Sequence, residues 1–134
     1  MSEERFRELQ SEVDRATARL TEAVAAPDTP IVRDAVIQRF EFSFELVWKT
    51  LKLHLEHQGQ ECGGPRATLK KAFSEGIIPT ADEADVWLRM IEDRNLTSHA
   101  YDEALAGSIY GRIVRDYAPA LVVMANRIRA LAWD

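Results

Sequence analysis

Apolar positions recur at steps of three and four residues along nearly the whole chain, and no stretch keeps the two-residue alternation of a half-buried strand. Over residues 3–25, Phe6, Leu9, Val13, Ala16, Leu20 and Ala23 form one stripe with Arg, Glu and Asp opposite, which predicts an amphipathic helix. Ala26-Pro27-Asp28-Thr29-Pro30 marks its end, because proline has no N–H to give to a preceding turn. Pro30 suits the first position of a second helix, predicted over residues 30–58. That helix has one stripe of Ile37, Phe40, Phe44, Val47, Leu51 and Leu55, and a second apolar side of Val36, Phe42, Leu46 and Leu53. A helix apolar on two sides meets neighbours on both, as at a bundle centre or a dimer interface. Gly59 is a natural stop.

After the loop at residues 59–64, Pro65 opens a short third helix predicted to end at Gly76. Thr80-Ala81-Asp82-Glu83 reads as a capping box for a fourth helix, which carries Val86, Trp87, Met90 and Ile91 and runs to about Leu96. Asp102 can cap a fifth, with Leu105, Ile109, Ile113, Tyr117, Leu121, Met124, Ile128 and Leu131 along it. Pro119 lies inside that run and should kink it or split it in two. The pattern predicts an all-α fold. Four long helices with short connectors form an up-down antiparallel four-helix bundle, with the third helix as a short insert.

The length of 134 residues suits a single domain over residues 1–134, large enough to bury a core without staples. Six Gly and five Pro leave little material for many turns, in keeping with a few long elements. Cys62 is the only cysteine, so there is no internal disulfide to imply an oxidising compartment. The opening residues are charged from Glu3 onward, unlike a secretory signal, and no apolar run approaches the roughly 20 residues a membrane helix needs. A cytoplasmic, membrane-free protein is expected. The net charge of −5 confines any RNA or nucleotide contact to a small local site and leaves room for a basic partner.

The stretch Glu92-Asp93-Arg94-Asn95-Leu96-Thr97-Ser98-His99-Ala100-Tyr101 differs from its surroundings, since it packs an arginine, an amide, two hydroxyls, an imidazole and a phenol together. Arginine neutralises phosphate oxygens through a planar fork, and histidine moves a proton near neutral pH. Without a metal, that pair could drive attack of an RNA 2′-hydroxyl on the adjacent phosphorus. On a continuous helix, however, Arg94 and His99 would stand about 140° apart in azimuth. They converge on one ligand only if the helix ends between them or a second subunit contributes. Asn95-Leu96-Thr97-Ser98 is a plausible helix end, because short polar side chains compete for backbone bonds. The plain alternative is a helix terminus whose Arg94 and His99 merely complement the helix dipole.

Arg94-Asn95-x-x-x-His99-x-Tyr101 resembles the R-x4-H-x-Y signature of HEPN domains of the HepT kind. The run from Arg39 through Phe40, Phe42, Phe44 and Trp48 to Leu51 is similar to the helix-two signature of small bacterial nucleotidyltransferase substrate-binding proteins, a branch of the same superfamily. Pro65-Arg66 before a short helix fits that branch too, and the resemblance covers about residues 36–117. It implies a dimeric HEPN bundle paired with a minimal nucleotidyltransferase, in a heterotetramer or larger assembly. In HepT-type pairs the HEPN protein is the toxin, a metal-independent ribonuclease with its Arg and His in a cleft at the dimer interface. The transferase is the antitoxin and adds AMP to the motif Tyr. Carried over by position, Arg94 would stabilise the phosphate, His99 would be the acid or base, Asn95 would orient the site, and Tyr101 would accept AMP. In the substrate-binding branch the name implies presentation of a substrate to the transferase, which leaves a purely non-catalytic adaptor as the alternative. The resemblance implies no cofactor.

Elsewhere the readings are plainer. His54 and His57 stand three apart on the second helix near Glu61, but no third ligand has convincing spacing, so a solvated helix face is expected and no metal site. Glu41 and Glu45, one turn apart, read as a surface pair, with the anchoring of a partner's arginine as the alternative. Arg66, Lys70 and Lys71 form a small basic patch expected to be solvated, and Phe40, Phe42, Phe44 and Trp48 are expected to pack.

Overall fold

The computed structural model describes residues 2–134, and among these it contains helices and no strand. Helix α1 spans Ser2–Ala25, α2 Pro30–His57, α3 Pro65–Ser74 and α4 Ala81–Leu96. A 3₁₀ turn at Thr97–His99 follows α4. Then come α5 at Glu103–Arg112, a π-helical turn at Ile113–Tyr117, and α6 at Ala118–Ala130. No helix among the described residues is long and apolar enough to cross a membrane.

The Thr80 and Asp102 caps form as anticipated, although the Glu83 carboxylate turns to Trp87 and Arg127 instead of completing the capping box, and Thr29 adds a cap before Pro30. Thr29 accepts a hydrogen bond from the Val32 N–H at 3.1 Å, Thr80 from Glu83 at 3.2 Å, and Asp102 from Leu105 at 3.1 Å. Each satisfies an N–H that the first turn cannot pair internally. Helix α3 stops at Ser74, two residues before the expected Gly76. Gly76 has a positive φ of +82°, and the Ile77 and Ile78 N–H groups turn back to the Ala72 carbonyl. The chain therefore leaves the helix before the glycine, which closes the turn. The expected break at Pro119 takes the form of the π turn just ahead of it, with the proline in the first turn of α6, where its missing N–H costs nothing.

Helix α2 is the axis of the helical bundle: α1, α3, α5 and α6 all pack on it. Its main stripe is fully buried through Phe40, Phe44, Val47, Leu51 and Leu55, joined by Phe6, Trp87, Met90, Ile109, Ile113, Tyr117 and Leu121 from the other helices. The second apolar side of α2 is only partly used. Val36 is buried, Leu46 and Leu53 are half-buried, and Phe42 is 59% exposed, so Phe42 does not pack as expected. The reason is directional: Phe40 points to Tyr117 in the interior, while Phe42 lies at the rim of a groove between α1 and α2 with Ala16, Arg19, Arg39 and Leu46. Ala16 is correspondingly half-buried.

His54 overturns the expectation of a solvated face. It is buried, its ring stacks on Phe6 at 5.8 Å between centroids, and its Nδ1 has no partner among the described residues. Burial, and then the neighbouring His57, hold its pKa below the ordinary 6.5. His57 is exposed but covered on one side by Trp133, whose ring stacks on it at 3.8 Å and also meets Phe6 at 5.1 Å. The chain beyond α6 thus folds back over the junction of α1 and α2. Gln10 Nε2 fastens it by donating to the Ile128 carbonyl at 2.8 Å and the Leu131 carbonyl at 3.3 Å.

Candidate functional site

The polar segment lies where α4 runs out. The last α-helical residue is Leu96, and Thr97 Oγ1 donates to the Arg94 carbonyl at 2.8 Å, which ties off the final turn. The chain then tightens into the 3₁₀ turn and reaches Asp102. The helix therefore ends between Arg94 and His99, meeting one of the two conditions for convergence set by their spacing.

Arg94 sits at the edge of the bundle. Its Nε donates to Glu45 Oε1 at 2.8 Å, joining α4 to α2 across 49 positions of sequence. Glu45 is thus no mere surface partner of Glu41: it is 28% exposed and grips this chain's own arginine. Its second oxygen accepts the Trp48 indole N–H at 3.1 Å, and Lys49 Nζ stands 3.8 Å from the same oxygen. His99 is exposed, with Nδ1 3.3 Å from the Tyr101 hydroxyl. In the tautomer that leaves Nδ1 unprotonated, the phenol donates to it. Tyr101 itself is 82% exposed. Asn95 is exposed and makes no side-chain hydrogen bond among the described residues. No hydrogen bond joins the Arg94–Glu45 pair to the His99–Tyr101 pair among the described residues.

Tyr101 lines two adjoining open clefts, both between the start of α2 and the α4–α5 connector. One has a volume of about 500 Å³ and includes Asp28, Arg33, Asp34 and Glu103. The other, about 430 Å³, includes Gln38, Glu41 and Thr97. Arg33 is the cation in the first cleft, but its guanidinium holds Asp28 through Nε at 2.7 Å and Nη2 at 3.0 Å and lies over the Tyr110 ring. The surroundings of Tyr101 are therefore net acidic. The basic patch at Arg66, Lys70 and Lys71 remains on α3, where it makes no ion pair among the described residues.

Beneath this surface lies a polar node that the sequence did not single out. Asp93, 6% exposed, accepts from Arg112 Nε at 2.6 Å and Nη2 at 2.9 Å, and from the Tyr117 hydroxyl at 2.5 Å. Burial alone would raise the Asp93 carboxyl. Hydrogen bonds from Arg112 and Tyr117, with the charges of Arg112 and Arg89, outweigh burial and hold it below the usual carboxylate range. Burial and the same carboxylate push the Tyr117 phenol well above its ordinary value. The available signal was positional: Asp93 falls three residues after Met90, on the stripe of Trp87 and Met90, where a carboxylate must find a cation. A second node joins α4 to α6, where Arg127 donates to both oxygens of Glu83 and to the Ile77 carbonyl.

Residues 6–130 match the sequence model described as nucleotidyltransferase substrate binding protein like. A Haemophilus influenzae protein called "Probable ribonuclease HepT" is 33% identical over 92 residues, 62% of this chain and 61% of that protein's length. The chain thus spans less than two thirds of that relative. A crystal structure of a Thermus thermophilus protein superposes with a TM-score of 0.80 at 39% identity, covering 87% of this chain and 98% of the other. A tri-AMPylated Shewanella oneidensis HEPN toxin, solved in complex with MNT antitoxin, superposes at 0.76 with 17% identity, covering 94% of this chain and 97% of that one. At that identity the likeness is one of fold.

Proposed function

The chain belongs to the nucleotidyltransferase substrate binding protein-like family, and from there we propose that it is the HEPN-type partner of a separate minimal nucleotidyltransferase, carrying a metal-independent RNA-cleaving site of its own. The observation that carries this reading is the arrangement at the end of α4. A guanidinium held at its Nε, an exposed imidazole and an exposed phenol sit within eight residues, on a turn that breaks the helix between the first two.

In this reading the protein is a cytoplasmic dimer, each copy an up-down antiparallel bundle with α3 as insert. The dimer sets Arg94 and His99 from two copies around one phosphodiester, the second condition that their spacing imposed. Arg94 neutralises the non-bridging oxygens as charge builds on them. His99 takes the proton of the 2′-hydroxyl or delivers one to the leaving 5′-oxygen, as the new P–O2′ bond forms and the P–O5′ bond breaks. Asn95 orients the site. Tyr101 is the acceptor of AMP: its oxygen bonds the α-phosphorus of ATP as pyrophosphate leaves, and His99 Nδ1 stands 3.3 Å away to receive the phenol proton. Modification would then block the imidazole beside it.

The purely adaptor reading is favoured by one observation, the carboxylates Asp28, Asp34, Glu41 and Glu103 around Tyr101, which suit a basic protein surface better than RNA.

The test is intact mass of the protein co-expressed with a minimal nucleotidyltransferase, against a Tyr101→Phe control. Gain of one or more AMP units, lost in the control, supports the reading. An unmodified mass within a stable complex would move the assignment to the adaptor. RNA cleavage that persists unchanged in both Arg94→Ala and His99→Ala would remove these residues from the chemistry.

A further inference from the structure

Arg33, Arg94, Arg112, Arg127 and Arg129 each hold a carboxylate of the chain. Arg15, Arg19 and Arg39 make no ion pair among the described residues, and all three line one groove of about 310 Å³ between α1 and α2. Arg15 and Arg19 stand one turn apart on α1, where like charges repel. Arg39 meets α1 from α2, its Nη1 donating to the Arg19 carbonyl at 2.8 Å. Glu12, the carboxylate on the groove, stands 3.8 Å from Arg5. The remaining lining is apolar: Ala16, Leu46 and the exposed ring of Phe42. In a chain of net charge −5, three guanidinium groups without carboxylate partners around an exposed aromatic ring make a local anion site.

The groove adjoins the end of α4. On α2, Arg39, Phe42 and Glu45 follow at steps of three residues, each about 60° further round the helix and about 4.5 Å further along it. The row thus crosses α2 from the groove to the carboxylate that holds Arg94. The clefts beside Tyr101, by contrast, carry Asp28, Asp34, Glu41 and Glu103 and repel a polyanion.

We propose that the α1–α2 groove binds the single-stranded RNA flanking the scissile bond: Phe42 stacks on a base, and Arg15, Arg19 and Arg39 take the phosphates beside it. Every base has a π face, so stacking holds the strand whatever its sequence, and the planar guanidinium fork suits phosphate oxygens. The strand then reaches Arg94 from the groove side, away from the acidic clefts. A second copy of this chain fits the groove less well, because a two-fold contact through it would bring the same arginines of both copies together. The inference deepens the proposed cleavage reading and rests on it for the course of the strand toward Arg94.

The probe is a short fluorescein-labelled oligouridylate carrying 2′-O-methyl groups, which has no free 2′-hydroxyl to attack its own phosphorus. Its binding to the whole protein is followed by fluorescence anisotropy across a range of salt concentrations. The double variant Arg15→Gln, Arg19→Gln should bind more weakly and flatten the slope of log affinity against log salt by about 1.4, since each phosphate neutralised on a single strand contributes about 0.7. Phe42→Ala should bind about tenfold more weakly with its slope unchanged. Phe42→Leu, apolar but without a π face, should behave like the alanine variant, and Phe42→Trp should bind at least as well as wild type. These side chains are exposed, so urea midpoints should stay close to that of wild type. An unchanged salt slope in the double variant, full binding in Phe42→Leu, or no binding by wild type would each overturn the inference. Phe42→Ala that splits a dimer into single chains, with the double variant keeping its slope, would give the face to a second copy instead. Cleavage of an ordinary RNA that persists in Arg94→Ala and His99→Ala, with the groove variants still weakening the probe, would remove the cleavage reading and leave the groove standing. Cleavage lost in His99→Ala, with the probe bound equally by every groove variant, would do the reverse.

Discussion

Asp93 and Arg94 occupy consecutive positions on α4, yet the first has both oxygens bonded and the second has nitrogens to spare. Asp93 takes three hydrogen bonds in the interior, from Arg112 and Tyr117. Arg94, about 100° further round the helix, emerges at the rim and makes one side-chain bond, to Glu45. The interior node uses geometric completeness to fix α4 against the α5–α6 rod. The rim leaves the terminal nitrogens of a cation without side-chain partners among the described residues. One region should therefore respond to substitution chiefly in stability and the other chiefly in ligand chemistry.

The strongest blow to that division would fall on Asp93. Asp93→Ala leaves a guanidinium and a phenol without their acceptor, and a loss of about 3–5 kcal/mol in unfolding free energy is expected in urea denaturation. A loss under about 1 kcal/mol would show that the node is not a staple. His99→Ala is the converse. Its unfolding free energy should change by less than about 0.5 kcal/mol, because the ring is exposed, while cleavage of an RNA substrate falls roughly a hundredfold. A stability change as large as that of Asp93→Ala would erase the distinction. Tyr117→Phe sharpens it from within the node, removing one donor and leaving the Arg112 bridge, for an expected cost of about 1–2 kcal/mol by the same denaturation.

The smallest effect is in the pH dependence. The folded pKa of His54 lies below its unfolded value, so between the two the unfolded chain binds the extra proton. Stability should be fully present above the ordinary 6.5 and decline as pH falls from there toward the folded pKa. Asp93, also depressed when folded, keeps its contribution above the ordinary 3.8 and loses it only as pH falls through its lower folded value. Urea midpoints from pH 7.5 to 3 should thus show two steps, and His54→Phe should flatten the upper one alone. An upper step that survives in His54→Phe would have to come from another group.

Much of the helical framework was legible because its determinants are local. The stripes of α1, α2 and α4, the Thr80 and Asp102 caps, and the disturbance ahead of Pro119 depend on residues within a turn or two of one another. The polar contacts between helices were not legible, because each spans a loop or more: Asp93 to Tyr117 is 24 residues, and Glu45 to Arg94 is 49. Sequence pairs Glu45 with Glu41 because that neighbour is one turn away, whereas Arg94 becomes its neighbour only once α2 and α4 are placed. His54, by contrast, was legible: it stands seven residues after Val47 and three after Leu51, on the main apolar stripe of α2, and it is buried there with Phe6 stacked on its ring. The candidate segment at residues 92–101 stood out through composition, but the hold on Arg94 comes from Glu45, on a different helix.

The π turn at Ile113–Tyr117 has a further consequence for how this architecture could have arisen and how it can be edited. A π turn amounts to one extra residue carried within an α-helix. The wider turn takes up that residue, so deleting one there would restore an unbroken α-helix with the two halves facing nearly as before. The α5 half faces α2, the π turn itself touches α4, and the α6 half packs on α1 and α2. The surplus residue lets Ile109, Ile113, Tyr117 and Leu121, spaced four apart, all stay buried on one rod, where regular α winding would carry them round by about 40° at each step. Loss of one position should therefore be tolerated better in this five-residue stretch than within α5 or α6, where no wide turn absorbs it and every later side chain is carried round by about 100°.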